Sequence, residues 1–240
     1  MYRDTLSPPS IRDIDRIVKQ RIECGKQVIK GHIGSPGYRP FPFKEKIREL
    51  YGNKEWWKYT EFEGIGEIRE LIAEEEGMEK ECIILVAGGM NGNFLSLLTL
   101  KKIRNLLGVG YPDVGFNPYY IHQVKLTGHY PIPYHVKPEG SVAWSIADGY
   151  IVNSPHNPTG KLYSREKLVE LRDMLEDKRG VVIVDDAYRE LYFGENPTLP
   201  WDVFRNSESL VFRNVTLSKE AGSPGLRGGY VYVNDLIHSK

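Results

Sequence analysis

Short apolar runs recur along this chain, separated by segments whose apolar residues have helical spacing. The clearest runs cover residues 82–86, 149–153 and 181–185. Runs of this kind are typical of strands buried on both faces, and their alternation with helices predicts an α/β fold. We therefore expect a mainly parallel mixed sheet with helices on both faces. Ligands collect beyond the carboxyl ends of the strands in such sheets, so the residues after each run are the candidates for function.

The same patterns predict the other elements and a division into two parts. Further strands are expected over residues 106–110, 131–136, 210–215 and 229–233. Helices are expected over residues 10–30, 44–51, 65–77, 94–103, 119–127 and 164–178. Residues 33–43 are rich in Pro and Gly and predict an extended loop. We divide the chain into an N-terminal helix and loop over residues 1–45 and a large domain over residues 46–240.

Composition excludes several classes of protein. The 240 residues include 32 Lys and Arg and 32 Asp and Glu, so the formal net charge is zero and no basic surface for nucleic acid or an acidic membrane is indicated. Cys24 and Cys82 lie far apart and have no metal-binding spacing, which fits a reducing compartment. No apolar run approaches the roughly 18–20 residues of a membrane span, and no secretory signal is evident. We expect a cytoplasmic protein without a metal site.

Two of the segments that follow predicted strands are rich in glycine or proline. Gly88-Gly89-Met90 lies between a strand and a helix, where glycines let backbone N–H groups approach an anion. The alternative is that this segment is an ordinary tight turn with no role in binding. Asn157 lies in an Asn-Pro-Thr-Gly segment, which is either a rigid loop that presents the amide or simply a turn that ends the strand.

The strand over residues 181–185 ends in two acids, Asp185 and Asp186, followed by Tyr188. Adjacent side chains on a strand point to opposite faces, so at most one of the acids faces a given site. A carboxylate buried there needs a cationic partner, which a protonated pyridine nitrogen would supply. The alternative is a polar strand end that faces solvent.

A lysine and an arginine complete the candidates. Lys219 follows the strand-like run over residues 210–215 and opens a loop that ends at Arg227. A desolvated lysine with a lowered pKa is a nucleophile for carbonyl groups, although most lysines simply lie on the surface. The guanidinium of Arg227 has the geometry to bind a phosphate through two hydrogen bonds.

In this order and spacing, the segments resemble the fold-type-I pyridoxal-phosphate enzymes, specifically the class I and II aminotransferases. The resemblance covers roughly residues 30–233. It includes Gly34-Ser-Pro36, Tyr59-Thr-x-x-x-Gly64, the Gly turn, Asn-Pro-Thr-Gly, Asp-x-x-Tyr, and Ser-Lys followed by Gly-Leu-Arg-x-Gly-Tyr.

The resemblance implies roles for these residues. Lys219 would hold pyridoxal phosphate as an aldimine and later carry the substrate proton. Asp185 would pair with the pyridine N–H, and Asn157 and Tyr188 would hydrogen-bond the phenolate oxygen. The phosphate would be bound by a larger set: Gly88, Gly89, Met90, Thr216, Ser218 and Arg227.

The resemblance also implies contacts outside this set. A tyrosine at the position of Tyr59 would reach the phosphate of a neighbouring subunit, which implies a homodimer. Gly34 would line the substrate side, together with Asn157. For the aromatic ring that stacks on the pyridine, we favour Phe116 and place Tyr120 second, since two alignments of this loop put Val114 or Asn117 at that position.

Relatives with these motifs continue well beyond the position of residue 240, so we expect that the C-terminal part, the small domain, is missing. A split enzyme completed by a second chain, a truncated product and a minimal pyridoxal-phosphate protein are the alternatives. The function expected is amino transfer between an amino acid and a 2-oxo acid. A lyase or decarboxylase of the same fold and a non-catalytic cofactor-binding fragment are the other candidates, and a nucleotide-binding protein ranks far below them.

Overall fold

The computed structural model describes residues 11–31, 34, 58–105, 108–114, 119–194 and 196–234. The chain divides into two units, Met1–Arg39 and Pro40–Lys240. In the first unit, helix α1 spans Ile11–Glu23. It is shorter than the helix predicted over residues 10–30, and it ends just before Gly25, whose backbone is left-handed. The helix predicted over residues 44–51 lies outside the described residues.

Within the described part of the second unit, eight strands form one mixed sheet. They are β1 (Ile83–Val86), β2 (Gly108–Pro112), β3 (Tyr130–Val136), β4 (Val142–Ala143), β5 (Gly149–Val152), β6 (Val181–Asp185), β7 (Leu210–Thr216) and β8 (Gly229–Val233). Their order is β1-β8-β7-β6-β5-β2-β3-β4. Strands β7, β6, β5, β2 and β3 are parallel, whereas β8 is antiparallel to both of its neighbours and β4 is antiparallel to β3.

Helices cover both faces of this sheet. They are α2 (Gly66–Glu76), α3 (Gly89–Ile103), α4 (Tyr119–Leu126), α5 (Arg165–Glu176), α6 (Pro200–Phe204) and α7 (Leu217–Glu220). One core joins α5 and α6 to one face, and a second core joins α3 and α4 to the other. The predicted α/β class is therefore confirmed. None of the described helices is long and apolar enough to cross a membrane.

The side chains of β6 alternate between the two cores. Val182 and Val184 pack on the side of α5, and Val181 and Ile183 pack on the side of α3 and α4. This period of two is the ordinary geometry of a strand. Every residue of β6 is buried, which explains why its sequence is apolar without interruption up to its final residue.

Besides α1, the clearest differences from the predictions concern α3, β4 and α6. Helix α3 begins at Gly89, five residues before the predicted start, because Gly88 (φ 89°) makes the turn by itself. Strand β4 has two residues and helix α6 has five. Neither is long enough for apolar periodicity to indicate it.

The strand directions bring the polar segments together. Strands β1, β2, β5, β6 and β7 all point the same way, because β1 is related to β7 through two antiparallel pairings with β8. Their carboxyl ends therefore meet at one edge of the sheet, and β8 starts from that same edge.

Candidate active site

A cavity of about 280 Å³ opens at the carboxyl edge of the sheet. Segments that follow β1, β5, β6 and β7 contribute to it, together with the start of α4. Its lining residues are Gly89, Met90, Tyr119, Tyr120, Asn153, Asn157, Asp185, Ala187, Tyr188, Thr216, Ser218, Lys219, Pro224 and Arg227. The cavity therefore contains most of the residues singled out from the sequence.

Asp185 lies at the floor of this cavity and is buried. Its Oδ2 accepts hydrogen bonds from the Tyr120 hydroxyl at 2.6 Å and from Asn93 Nδ2 at 2.8 Å, and its Oδ1 accepts one from the Ala187 N–H at 3.3 Å. Burial raises the pKa of Asp185, and these hydrogen bonds oppose the increase. In the described part of the chain the donors to this carboxylate are neutral, so a cation placed in the cavity would be its natural partner.

Asn93 is a site residue that the sequence reasoning missed. It lies one turn into α3, and the amide of Asn214 on β7 donates to its Oδ1. Gly89, Gly92, Asn93 and Ser96 are all buried along one side of the helix. Small and polar residues at spacings of i, i+3, i+4 and i+7 were the signal for a helix face packed closely on polar strand ends.

Asn157 and Tyr188 form a second polar corner. Asn157 Nδ2 donates to the Tyr188 hydroxyl oxygen at 2.7 Å. Asn153 holds the Asn157 loop in place, because its Oδ1 accepts from the Asn157 N–H at 3.3 Å while its Nδ2 donates to the Asp185 carbonyl at 2.9 Å. Burial raises the pKa of Tyr188, so its hydroxyl keeps its proton.

Lys219 lies in α7, the short helix that follows β7. Thr216 caps this helix, since its Oγ1 accepts from the Ser218 N–H at 3.3 Å. Lys219 Nζ lies 6.0 Å from the centre of the Tyr188 ring. Burial lowers the pKa of Lys219, which increases the fraction of neutral, nucleophilic amine at a given pH.

A third group of residues at the cavity, around Arg227, is suited to binding an anion. Arg227 Nη1 donates to Ser218 Oγ at 3.3 Å, and Arg227 Nη2 donates to the Ala87 carbonyl at 3.3 Å. Gly88 has a φ of 89°, a backbone conformation that favours glycine, and a Cβ there would lie 2.7 Å from Arg227 Nη2, so a side chain would displace the guanidinium. Helix α3 begins at Gly89. The N–H groups of Asn91 and Gly92 donate to the Gly88 carbonyl at 3.0 and 3.2 Å, whereas those of Gly89 and Met90 have no acceptor within the helix.

Other predicted site residues lie apart from this cavity or outside the described residues. Tyr59 is fully exposed and is not part of the cavity wall. Val114 is also exposed and does not line it. Gly34 belongs to the first unit. Phe116 and Asn117, two of the positions considered for a stacking ring, lie outside the described residues.

A group of buried and partly buried charges lies on the other face of the sheet. This ionic cluster consists of Glu76, Asp186, Arg189, Arg213 and Glu220. Arg213 Nε donates to Asp186 Oδ2 at 2.6 Å, and Arg213 Nη1 donates to Glu76 Oε2 at 2.7 Å. Arg189 connects Glu76 to Glu220, which is the residue after Lys219.

Glu76 is the centre of the ionic cluster. It accepts hydrogen bonds from both arginines, and the Tyr230 hydroxyl donates to its Oε1 at 2.7 Å. Burial alone would raise the pKa of Glu76, but the charges and hydrogen bonds of Arg213 and Arg189 outweigh burial and lower it to about 2. The cluster was not predicted from the sequence.

Comparison with known proteins identifies the family. A model described as aminotransferase class I and II matches residues 33–240. The chain belongs to this family. Members of the class I and II aminotransferase family use pyridoxal phosphate.

Individual aminotransferases agree with this assignment. A probable aspartate/prephenate aminotransferase from Aquifex aeolicus is 27% identical over 248 residues, covering 94% of this chain and 61% of the relative. The crystal structure of an aspartate aminotransferase from Thermotoga maritima matches with a TM-score of 0.83 at 24% identity, covering 97% of this chain and 65% of that one. The chain thus spans less than two thirds of the length of these proteins. A cystine lyase from Arabidopsis thaliana is 33% identical over 87 residues, covering 36% of this chain and 20% of the lyase.

The residues of the cavity fit the family's cofactor. Asp185 offers a carboxylate whose described donors are neutral, Lys219 offers an amine with a lowered pKa, and Arg227 lies beside the Gly88 turn. These groups suit a pyridine nitrogen, an aldehyde and a phosphate respectively. Among the described residues, no group of three or more His, Cys, Asp or Glu side chains is placed to hold a metal ion.

Proposed function

We propose that this chain is a pyridoxal-phosphate-dependent aminotransferase, or the cofactor-binding part of one. The observation that carries the proposal is the convergence of Lys219, Asp185, the Asn157–Tyr188 pair and Arg227 on a single cavity. A nucleophilic amine, a carboxylate in need of a cation and an anion-binding corner are the three groups that this cofactor requires.

The cofactor, when bound, supplies an electron sink that makes the α-proton of an amino acid removable. In our proposal Lys219 holds it covalently through Nζ, and Asp185 keeps the proton on its ring nitrogen. Asn157 and Tyr188 hydrogen-bond its ring oxygen, which fixes the tilt of the ring.

The phosphate contacts come from two segments. In our proposal the N–H groups of Gly89 and Met90 donate from the start of α3, whereas the Gly88 N–H donates to the Val86 carbonyl at 2.8 Å, so Gly88 contributes the turn and not a donor. The second segment supplies the hydroxyls of Thr216 and Ser218 and the guanidinium of Arg227. These groups would hold the phosphate and so orient the cofactor relative to Lys219.

Lys219 is also the group that moves the substrate proton. With the cofactor bound, the Lys219 Nζ would be the group that takes up and returns the proton of the substrate α-carbon. Its lowered pKa suits this exchange, because general bases act best when their pKa is near the working pH. The substrates of this proposal are an amino acid and a 2-oxo acid.

Further parts of the proposal concern the assembly. The full exposure of Tyr59 supports a homodimer in which this side chain reaches the phosphate of the neighbouring subunit. We assign Gly34 to the substrate side and Phe116 to the ring that stacks on the cofactor, with Tyr120 as the second choice. We place the protein in the cytoplasm, consistent with its two cysteines and lack of net charge.

The experiment that tests the proposal is covalent trapping. The purified chain is mixed with pyridoxal phosphate, and the yellow absorbance is followed before and after addition of borohydride. We expect a band that borohydride removes and a mass increase on the peptide containing Lys219. The Lys219→Ala variant should show neither, and Lys161→Ala, which removes an exposed lysine, should behave like wild type. A wild-type chain without the band, or a Lys219→Ala variant that keeps it, would falsify the assignment.

A second candidate is a carbon–sulfur lyase, which the likeness to the Arabidopsis cystine lyase favours. The two reactions differ in their need for an acceptor. An aminotransferase consumes a 2-oxo acid as it acts on an amino acid. A lyase breaks the carbon–sulfur bond and, with water, releases a sulfur compound, ammonia and a 2-oxo acid without needing an acceptor. Turnover of cystine in the absence of any 2-oxo acid would therefore favour the lyase. A reducible band with no turnover of either kind would indicate a cofactor-binding fragment.

A further inference from the structure

Arg189 lies between two acids that belong to different elements. Its Nε and Nη2 donate to the two carboxylate oxygens of Glu220 at 3.1 Å and 2.8 Å, and its Nη1 donates to Glu76 at the end of α2. A guanidinium that contacts both oxygens of one carboxylate fixes the direction of that carboxylate as well as its distance. Arg189 itself follows Tyr188, a residue of the cavity wall.

The side chains of the last two residues of α7 have different surroundings. Lys219 lines the cavity, whereas Glu220 does not line it and turns to Arg189. A carboxylate beside an amine stabilises the charged form of the amine. The direction of the Glu220 carboxylate therefore affects the protonation of Lys219, which must be a neutral amine in the proposed function.

We propose that Arg189 is a positioning residue for Lys219: by holding both oxygens of Glu220 it keeps this carboxylate away from the Lys219 amine and directs the amine into the cavity. The inference rests on the proposed function, because it takes Lys219 to be the reacting amine. Arg189 acts through Glu220 and is not itself a part of the cavity wall.

The surroundings of Arg189 make this arrangement specific. Glu190 approaches its Nε at 3.7 Å. Burial lowers the pKa of Arg189, but the hydrogen bonds to Glu220 and Glu76 and the charge of Glu220 outweigh burial and favour the protonated guanidinium. Glu76 has a second cation, Arg213, at 2.7 Å. Without Arg189, Glu76 would still be paired with Arg213, whereas Glu220 would lose the guanidinium that binds both of its oxygens. The main effect of the loss is therefore on Glu220, the neighbour of Lys219.

The test measures the amine directly and needs no cofactor. The cofactor-free chain is labelled with a trace of acetic anhydride at a series of pH values, and the label on the peptide containing Lys219 gives its titration midpoint. In Arg189→Met we expect this midpoint to rise by about one pH unit, because Glu220 is released towards the amine. In the double variant Arg189→Met with Glu220→Gln, the midpoint should return to that of Glu220→Gln alone.

Two further variants make the result decisive. Arg69→Met removes a buried arginine that contacts Glu61 and the Lys80 carbonyl but no residue of the cavity, and it should leave the Lys219 midpoint unchanged. Arg189→Lys keeps the positive charge but cannot bind both carboxylate oxygens of Glu220 in the same way, so it should raise the Lys219 midpoint by about half as much as Arg189→Met. If Arg189→Met does not fold, this lysine variant decides the question.

The inference is overturned if folded Arg189→Met, or Arg189→Lys in its place, leaves the midpoint unchanged. It is also overturned if the double variant keeps the shift, since Glu220 would then not be the cause. Failure of the proposed function has a different signature, because it would remove the borohydride-sensitive band from wild type and leave the labelling midpoints as they are.

Discussion

Asp185 and Asp186 are neighbours at the end of the same strand segment, and both are buried, yet their surroundings differ completely. Asp185 faces α3 and α4 and accepts hydrogen bonds from a tyrosine, an amide and a backbone N–H. Asp186 faces the opposite side, where Arg213 donates to it at 2.6 Å. The two aspartates point to opposite faces of the sheet because adjacent residues of a strand alternate in direction. Their partners on the two faces differ in charge.

The difference indicates which acid serves the structure and which serves the ligand. Asp186 already has a charged partner, and its loss leaves the buried Arg213 with Glu76 as its remaining carboxylate partner among the described residues. Burial raises the pKa of both acids, but the described donors to Asp185 are neutral, so this carboxylate gains a charged partner only when a cation enters the cavity. Four substitutions test this contrast through the free energy of unfolding of the cofactor-free chain.

The largest effect is expected at Asp186. Asp186→Asn leaves the Arg213 guanidinium buried without this partner, and we expect a loss of about 3–5 kcal/mol of stability. Urea unfolding at pH 7 provides the measurement. A loss smaller than that of Asp185→Asn would contradict the assignment of Asp186 to the structural side.

The next effect is expected at Glu76, the centre of the ionic cluster. Its pKa of about 2 lies below the ordinary 4.5, and the difference corresponds to about 3 kcal/mol lost in Glu76→Gln at pH 7. This stabilisation is present above pH 4.5 and is lost as the pH falls towards 2, so the wild type and the variant should converge over that range. The exposed neighbour provides a matched control, since Glu75→Gln should change stability by less than about 0.5 kcal/mol.

A smaller effect is expected at Tyr120, on the cavity side. Tyr120→Phe removes a hydroxyl that donates to Asp185 at 2.6 Å, and we expect a cost of about 1 kcal/mol. Tyr130→Phe, at an exposed position on β3, should be nearly neutral. Equal effects of the two substitutions in thermal unfolding would show that the Tyr120 hydroxyl contributes nothing to the pairing of Asp185.

The smallest effect on stability is expected at Asp185 itself. Asp185→Asn removes a buried carboxylate whose donors are neutral, so unfolding should change by less than about 1 kcal/mol. The same variant should lose the increase in melting temperature that added pyridoxal phosphate produces in wild type, because the ring nitrogen has lost its partner. A variant that retained the full cofactor-induced increase would remove Asp185 from the proposed site.

The site could be predicted from the sequence where its signals are local. Asn157, Asp185 and Lys219 each follow an apolar run within a few residues, and strand direction alone brings such positions to one edge. The helix start at Gly89 was predicted too late, because the glycines of α3 were taken as part of the turn. That error concealed Asn93, which belongs to the buried stripe of the helix.

The sequence by itself determined the α/β class, the order of the elements and the edge at which the candidate residues gather, because apolar periodicity and strand ends are local properties of a chain. Only the tertiary structure decided the partners. Asn93 and Asp185 are 92 residues apart, and Glu76 and Arg213 are 137 apart. Hydrogen bonds and ion pairs act over a few ångströms, and no local pattern records which distant side chains a fold brings within that range.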